Sequence, residues 1–407
     1  MGLYKTAPPL SGRMGALWCL ASIADSAVVE YGCMGHMAYG RTFLHRMGAY
    51  EGKLYSTHIS ETDIAMGDTR RLEQAIEQVS ETTGVKTIFL LPSSVPEVIG
   101  IDLKAIAREL SPKFPHINLV PLSVGGFDIC GHKGVEVTLL HLAKALAKDI
   151  PRTKHTTFNI IGSCADMFGF APDSAEIERL VSGAFSANLL CTMTSGTSIA
   201  EMENMGGAHL NIVLRREGES AAKYLLGRYG TPYLVARPYG IDATLDWLSR
   251  IENKFSLRAE KDFIQRERKK SLEQIHAMQV VLGRFLRAHK EDSKLILAGH
   301  VDVVTGIAEY AKDTFGFEKI LCYSDCARMS GQGTEYLTDE IKRSLSEDTK
   351  GFLMGSGELL HMAKRDKSMQ IAVPDNMWHH AYEPPLMGFR GAVHLASIWL
   401  NEMMRRD

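Results

Sequence analysis

One pattern recurs along the chain: a short run of β-branched and other apolar residues, a glycine-rich or polar turn, and an amphipathic helical stretch. Residues 86–92, 157–162 and 294–299 are three of the apolar runs, and residues 174–184 and 301–315 are two of the helical stretches. Strands that alternate with helices in this way form mostly parallel sheets with helices on both faces. We therefore expect an α/β fold of three Rossmann-like, doubly wound units.

Two segments mark the expected boundaries between these units. Residues 151–156, Pro-Arg-Thr-Lys-His-Thr, precede a fresh apolar run, and a long polar helical pattern extends from about residue 252 to 289. A chain of 407 residues also exceeds what a single hydrophobic core usually serves. We expect units at residues 1–152, 153–290 and 291–407, with the long helical connection in the second and a terminal helix in the third.

Composition excludes several classes of partner. The formal net charge of −2 gives no electrostatic reason to expect a nucleic acid or an anionic membrane as partner. No apolar stretch approaches the roughly 20 residues that cross a bilayer, and the N-terminus has no apolar signal segment. The 7 cysteines are an odd number and widely scattered, which argues against a disulfide framework and for a reducing cytoplasm.

Common cofactor and catalytic motifs are missing from the sequence. No G-x-G-x-x-G follows a strand-like run, and no G-x-x-x-x-G-K-[ST] occurs, so the chain has neither a nicotinamide or flavin fingerprint nor its own P-loop. The absence of C-x-x-C excludes a zinc ribbon, and the absence of G-x-S-x-G weakens a hydrolase interpretation.

Cys33 lies in the most informative turn of the chain. The apolar run 27–31 enters Gly32-Cys33-Met34-Gly35, and a helical pattern follows. A thiol at a helix N-terminus is favoured as thiolate, the form that binds metal. Such a cysteine is a soft-metal ligand, a nucleophile or a small core residue, and the turn itself leaves all three open.

Further candidate residues lie near the ends of strand-like runs, where parallel sheets bind ligands. Cys191 follows residues 187–190 and precedes a polar turn, so it is a metal ligand or a core residue. Four histidines are candidate proton donors, or else ordinary surface or core residues: His36, His132, His379 and His380.

Five segments together carry a resemblance to a known family. They are Ala7-Pro-Pro-Leu-Ser-Gly12, Gly32-Cys33, Ser94-Val-Pro-Glu-Val-Ile-Gly-Ile-Asp-Leu103, Gly125-Gly-Phe127 with Cys130-Gly-His132, and Gly388-Phe-Arg-Gly-Ala392. Through them nearly the whole chain resembles component 1 subunits of the nitrogenase family. That family includes molybdenum–iron proteins, cofactor-assembly scaffolds, dark-operative protochlorophyllide and chlorophyllide reductases, and methylthio-alkane reductases.

The resemblance implies roles for particular residues. Cys33 falls on a cysteine that binds the iron–sulfur cluster at the subunit interface, and Cys191 on the cysteine that anchors the active-site metallocluster. The chain departs from the family at three cofactor positions: Ala7 and, approximately, Ser94 replace interface cysteines, and Met387 lies near the cofactor histidine. We expect a [4Fe-4S] cluster at the interface, allow a second, larger metallocluster near Cys191, and exclude a standard dinitrogen-reducing subunit.

Two partner proteins are expected, one from the number of cysteine ligands that a cluster needs and one from the missing P-loop. A four-iron cluster normally takes four thiolates, so we expect a paralogous component 1 subunit to complete the set in a heterodimer or heterotetramer; Ser94 could substitute as an oxygen ligand. The resemblance also implies a separate ATP-dependent iron protein as electron donor. The leading expectation is a subunit of a cytoplasmic reductase of a small molecule other than dinitrogen. A cofactor-assembly scaffold and a metal-free structural partner remain alternatives.

Overall fold

The computed structural model describes residues 10–405 except for a small set of positions. These are Met34, His36, Tyr39, 42–52, 125–129, Asp292, Gln332, Thr349 and 374–383.

The strands form three sheets in which neighbouring strands run parallel. The first sheet has the order β2-β1-β3-β4, the second β6-β5-β7-β8, and the third β11-β10-β9-β12-β13. The strands are β1 Ser26–Tyr31, β2 Lys53–Ser56, β3 Thr87–Pro92, β4 Asn118–Pro121, β5 Thr157–Ile161, β6 Asn188–Thr192, β7 Leu210–Val213, β8 Tyr233–Val235, β9 Lys294–Gly299, β10 Lys319–Ser324, β11 Glu335–Tyr336, β12 Phe352–Ser356 and β13 Ser368–Ala372.

Helices connect most of the successive strands in the described part of the chain, as is usual for parallel pairing. They are α1 Gly12–Ala21, α2 Glu61–Met66, α3 Arg70–Thr83, α4 Ser94–Val98, α5 Leu103–Leu110, α6 Gly131–Leu146, α7 Phe170–Phe185, α8 Ile199–Glu203, α9 Glu219–Tyr229, α10 Ile241–Phe255, α11 Lys261–Ala288, α12 Val301–Phe315, α13 Asp339–Glu347, α14 Gly357–Ala363 and α15 Gly388–Met403. None of these helices is long and apolar enough to cross a membrane.

The expected α/β class with three parallel sheets is confirmed, since each sheet lies inside one of the three predicted segments. The predicted boundaries themselves stay a prediction. Contacts between residues define two compact units. We call residues 9–166 and 190–233 the amino-terminal unit, and residues 167–189 and 234–407 the carboxy-terminal unit.

The core of the first sheet shows why these residues form these elements. One face of β1 and β3 packs on apolar side chains of α3 and α5 that recur at helical spacing, such as Leu72 and Ile76. Val29 and Leu90 from the sheet are fully buried against them. Each large apolar side chain buried in this way contributes about 1.5–3 kcal/mol.

Helices α1 and α6 of the amino-terminal unit cross at glycines. A Cβ added to Gly15 would lie 2.1 Å from the carbonyl oxygen of Gly131, and one added to Gly134 would lie 1.9 Å from that of Gly12. Real Cβ atoms do not approach backbone so closely, so both positions require glycine. The backbones therefore touch at this crossing, and no side chains lie between them.

The third sheet is covered by the terminal helix α15 within the carboxy-terminal unit. The Trp399 ring packs edge-to-face on Phe315 and Phe317, with ring centroids 5.3 and 5.6 Å away. The Tyr310 hydroxyl on α12 donates a 2.9 Å hydrogen bond to the carbonyl of Ala392. These contacts fix the end of the chain against the strand–helix layer that precedes it.

The long helical pattern at 252–289 forms two helices, which the sequence did not indicate. Helix α10 ends at Phe255, and Ser256 adopts a left-handed conformation with φ of 52°. The amide of Leu257 then bonds to the carbonyl of Glu252 at 3.0 Å and closes the helix end. Helix α11 begins only at Lys261, so the polar pattern covers the end of one helix and the whole of the next.

The α1–α6 crossing gives a prediction about stability. Gly134→Ala places a methyl group against backbone, and we expect it to lower the free energy of unfolding by about 1–3 kcal/mol through overpacking. Gly227→Ala, in helix α9, is the matched control because nothing lies within 4 Å of its added Cβ. Urea unfolding should show the control unchanged or up to about 1 kcal/mol more stable. Equal stabilities of the two variants would contradict the close contact.

Candidate functional site

The carboxyl edge of the first sheet brings Cys33 and Ser94 to neighbouring strand ends. Tyr31, the last residue of β1, lies opposite Pro92, the last residue of β3. The two chain segments therefore leave the sheet side by side, and both side chains are half-buried there. We call this pair of turns, residues 32–33 and 93–94, the strand-end edge.

Hydrogen bonds fix the strand-end edge. The amide of Gly32 donates to Oγ1 of Thr57 at 3.0 Å, and its carbonyl accepts from the amide of Ile59 at 3.1 Å. The amide of Ser93 donates to the carbonyl of Tyr31 at 3.0 Å. A Cβ added to Gly32 would lie 2.0 Å from Oγ of Ser93, so only glycine allows this approach. The residue before Cys33 is thus held by β2 and β3.

The strand-end edge fits one ligand of an iron–sulfur cluster. Cys33 is a free thiol and half-buried, so it is partly accessible. Ser94 is the first residue of α4 and supplies only a hydroxyl oxygen, a harder donor than iron–sulfur clusters usually take. Four-iron clusters normally have four protein ligands, and among the described residues this edge offers one cysteine. This edge thus supplies one of the four thiolates that such a cluster takes, and the source of the others stays a prediction.

A buried ion pair joins α1 to β1, the strand that leads to Cys33. Nη1 of Arg13 on α1 donates to Oε1 of Glu30 on β1 at 2.5 Å, and Glu30 is 0% exposed. Burial raises the pKa of Glu30 to about 7, although the charge and hydrogen bond of Arg13 lower it. This carboxyl group therefore changes charge near neutrality.

His132 lies at other strand ends, those of the second sheet. Its Nδ1 is 3.1 Å from Nη2 of the buried Arg215. Because a guanidinium only donates, Nδ1 accepts this hydrogen bond, and a neutral His132 carries its proton on Nε2. Arg215 also donates to both carboxylate oxygens of Asp166 at 2.8 Å and to Glu217 at 2.8 Å. The ring of His132 is thus held in one tautomer; its predicted catalytic role stays a prediction.

Two further thiols lie within the amino-terminal unit, close to Arg215. Cys19 and Cys164 are both 0% exposed, and burial followed by a hydrogen bond with Cys164 raises the pKa of Cys19 well above its ordinary value. Oγ1 of Thr194 lies 3.0 Å from Sγ of Cys164. Cys19 is thus a protonated, enclosed thiol, a form that is unreactive.

Cys191 is an enclosed thiol of the second sheet. It lies on β6, is 2% exposed, and its sulfur is 3.6 Å from Oγ1 of Thr197. Burial raises the pKa of Cys191 to about 12; the hydrogen bond with Thr197 lowers it, and the carboxylate of Glu201 acts in the same direction as burial. This environment favours the thiol over the thiolate that binds metal, and the ligand role of Cys191 stays a prediction.

Met387 lies in the carboxy-terminal unit as the residue before α15, and it is 3% exposed. Oδ1 of Asp173 accepts from the amides of Leu386 and Met387 at 2.7 and 3.0 Å. Burial raises the pKa of Asp173 to about 7, against the opposite effect of these two N–H groups. The structure thus shows how the backbone at the predicted cofactor position is held.

Several predicted residues lie outside the described part of the chain. These are His36, His379, His380 and the position of Ala7. Their predicted roles stay predictions.

Sequence reasoning missed Glu30 and Arg13. A signal for each was present: Glu30 is the single charged residue in an apolar strand run, and Arg13 precedes the apolar stretch of α1. His58, an exposed imidazole just after β2, was also missed. The strand before it, β2, has only four residues, too few for a clear alternation of apolar and polar side chains.

An open cleft of about 840 Å³ lies at the opposite, amino edge of the first sheet. Lys53, Lys86 and His116 line it together with Asp25 and Glu203. Nζ of Lys53 donates to the carbonyl of Thr83 at the end of α3, 3.4 Å away. Cations are favoured at helix C-termini, so this charge does not require a ligand.

Comparison with known proteins settles the family. The model of nitrogenase component 1 type oxidoreductases matches residues 11–404. The chain belongs to this family. The nitrogenase-like oxidoreductase predicted from the sequence is thereby confirmed as to family.

Relatives of this nitrogenase component 1 type chain include two light-independent protochlorophyllide reductase B subunits. The protein from Cereibacter sphaeroides is 25% identical over 380 residues, which cover 89% of this chain and 70% of the relative. The protein from Prosthecochloris aestuarii is 24% identical over 389 residues, which cover 87% and 70%. These names agree with the expected reductase that acts on a molecule other than dinitrogen.

The fold is that of a solved nitrogenase chain. A structure of nitrogenase Cp1 at pH 6.5 superposes with a TM-score of 0.80 over 99% of this chain and 94% of that chain, at 15% sequence identity. A second structure, at pH 5, gives a TM-score of 0.73. At this identity the likeness concerns the fold alone.

Asp173 gives a prediction about pH. Native Asp173 keeps its proton to about pH 7, whereas the unfolded side chain loses it near 3.8. The free energy of unfolding therefore falls as the pH rises between these values, by at most about 4 kcal/mol from this group. Asp173→Asn keeps an acceptor oxygen but does not titrate, so its unfolding should depend less on pH. Urea unfolding at several pH values within the window measures this, and parallel curves for both proteins would exclude Asp173 as the source.

Proposed function

We propose that this chain is one subunit of a nitrogenase-like reductase that acts in the cytoplasm on a small molecule other than dinitrogen. The observation that supports this best is the strand-end edge, which presents the partly accessible thiol of Cys33 in a chain of the nitrogenase component 1 type family. The named relatives that reduce protochlorophyllide support a substrate other than dinitrogen.

The cofactor in this proposal is one [4Fe-4S] cluster shared with a paralogous component 1 subunit. Cys33 would contribute its thiolate, and the partner would contribute the other cysteines. When bound, the cluster supplies one-electron transfer at low potential. The residues of this chain have other tasks: Gly32 and Ser93 fix the direction of the turn, and Ser94 stands beside the thiolate as a polar neighbour.

The electron donor in this proposal is a separate ATP-dependent iron protein. The chain has no P-loop motif with which to bind and hydrolyse ATP itself. His132, held in its Nε2–H tautomer by Arg215, is suited to donate a hydrogen bond from Nε2 to a bound substrate, and it would donate a proton only from its imidazolium form.

A second metallocluster at Cys191 is not part of the proposal. The thiol is enclosed beside Thr197 and favoured in its protonated form. A scaffold that matures a cluster at Cys191 must let the cluster enter and leave, and an enclosed thiol gives no support to that alternative.

Iron analysis of two cysteine variants tests the proposal. The tagged chain is purified anaerobically with its bound partner, and iron, sulfide and the EPR spectrum of the dithionite-reduced complex are measured. We expect about four iron atoms per heterodimer. Cys33→Ala should lose most of this iron and the EPR signal, because it removes a ligand.

Cys191→Ala is the matched control, and it should keep the wild-type iron content while unfolding at a lower urea concentration. Loss of iron in Cys191→Ala would instead indicate a second cluster. A folded complex without iron, or unchanged iron in Cys33→Ala, would overturn the proposal, and the former would favour the metal-free structural partner.

A further inference from the structure

Glu30 is a carboxyl group inside the first sheet. It lies on β1 opposite Ser56 of β2 and two residues before the strand-end edge, and its side chain is 0% exposed. On the other side it faces Leu91 of β3. Burying a carboxylate is costly unless it is paired and fully hydrogen-bonded.

The hydrogen bonding of Glu30 is incomplete. Oε1 accepts from Nη1 of Arg13 at 2.5 Å, but Oε2 is buried without a hydrogen-bond partner in the described structure. A buried ion pair with one oxygen left open is stabilised only in part. That oxygen is a site where a proton can bind without breaking the contact with Arg13.

The charges around Glu30 are few. Arg13 is the charged side chain that the structure places against it from α1, and Ser56 and Leu91 on the flanking strands carry no charge. Cys19, also on α1, is a buried thiol whose pKa is raised well above its ordinary value, so it stays neutral. A change of charge near Glu30 is therefore not compensated by other side chains of these elements.

Glu30 is also near the candidate metal ligand. It precedes Cys33 by three residues, and three residues of chain span at most about 11 Å, so the two Cα atoms are no farther apart than that. Buried charges at such a distance are screened much less than exposed ones. An electron that arrives at a centre bound by Cys33 therefore repels the negative charge of the Glu30 carboxylate and favours its protonation.

We propose that Glu30 is the proton acceptor coupled to electron arrival at the metal centre held by Cys33, an inference that rests on the proposed function. One electron comes from a low-potential donor, the iron protein or dithionite. One proton comes from solvent and forms an O–H bond at Oε2, while Oε1 continues to accept from Arg13. On oxidation the electron passes to the acceptor, the O–H bond at Oε2 breaks, and the proton returns to solvent. Glu30 does not touch the reacting substrate; it acts through the metal centre, by taking up a proton that offsets the added negative charge.

A redox titration across neutral pH, followed by EPR, tests this role in the anaerobic complex. Glu30→Gln keeps the size of the side chain and an oxygen for Arg13, but it cannot take up the proton. We expect the midpoint potential of the wild type to fall as the pH rises, and Glu30→Gln to lose this slope. The same slope in both proteins overturns the proposal.

A second buried pair provides the control. Asp302 in the carboxy-terminal unit is 3% exposed and accepts from Arg237. Asp302→Asn therefore also removes a buried charge, but it should keep the wild-type slope. Loss of the slope in this variant as well would assign the effect to general destabilisation and overturn the role of Glu30.

An infrared measurement on the wild type covers the case in which Glu30→Gln does not fold. With isotope-labelled glutamate, the difference spectrum between reduced and oxidised complex should show a protonated carboxyl band that appears on reduction. Its absence overturns the proposal. A complex without iron overturns the proposed function and this role together, whereas an iron-containing complex with an unchanged slope overturns only the role of Glu30.

Discussion

The register between β1 and β3 is the constraint on which the candidate site depends. Because Tyr31 lies opposite Pro92, the two strands end together and their following turns meet. A slip of one residue would turn every side chain of β1 to the other face. Glu30 would then point into the apolar layer of α3 and α5, away from Arg13. One backbone pairing thus determines both where the thiol emerges and where the buried acid finds its partner.

Three of the buried carboxylates, those of Asp166, Asp173 and Glu30, differ in how completely they are hydrogen-bonded. Asp166 accepts two hydrogen bonds from Arg215, which cannot lose its charge in a protein, so that pair is fixed. Asp173 accepts from two backbone amides and holds the chain before α15. Glu30 alone among these three has a buried oxygen without a partner. The carboxylates of Asp166 and Asp173 hold neighbouring parts of the chain in place, whereas Glu30 still has an oxygen that can bind a proton.

Much of the fold was accessible from the sequence, because local patterns decide it. The run at 86–92 forms β3 at Thr87–Pro92, and the helix expected at 301–315 is Val301–Phe315. The break at Ser256 was not accessible, since a serine in a polar helical pattern gives no sign of a left-handed conformation. The strand pairing was not accessible either, because it joins residues far apart in the chain.

The position of Cys33 was accessible from the sequence pattern, whereas its role as a cluster ligand was implied only by the family resemblance. Spacing placed Cys33 at a strand end, and the structure agrees. Nothing local shows that Cys191 is enclosed by Thr197, or that His132 meets Arg215 from 83 residues away. Those contacts depend on how the second sheet and α6 pack, which is a tertiary property.

The crossing of α1 and α6 has a consequence for how this chain can change over time. At most helix contacts, a larger residue on one helix can be accommodated by a smaller one on the other. Here the atoms facing Gly15 and Gly134 are carbonyl groups of the opposite helix, and a carbonyl cannot be made smaller by any replacement. No second mutation on the facing helix can restore the contact, so a suppressor of a substitution here would have to act elsewhere in the chain.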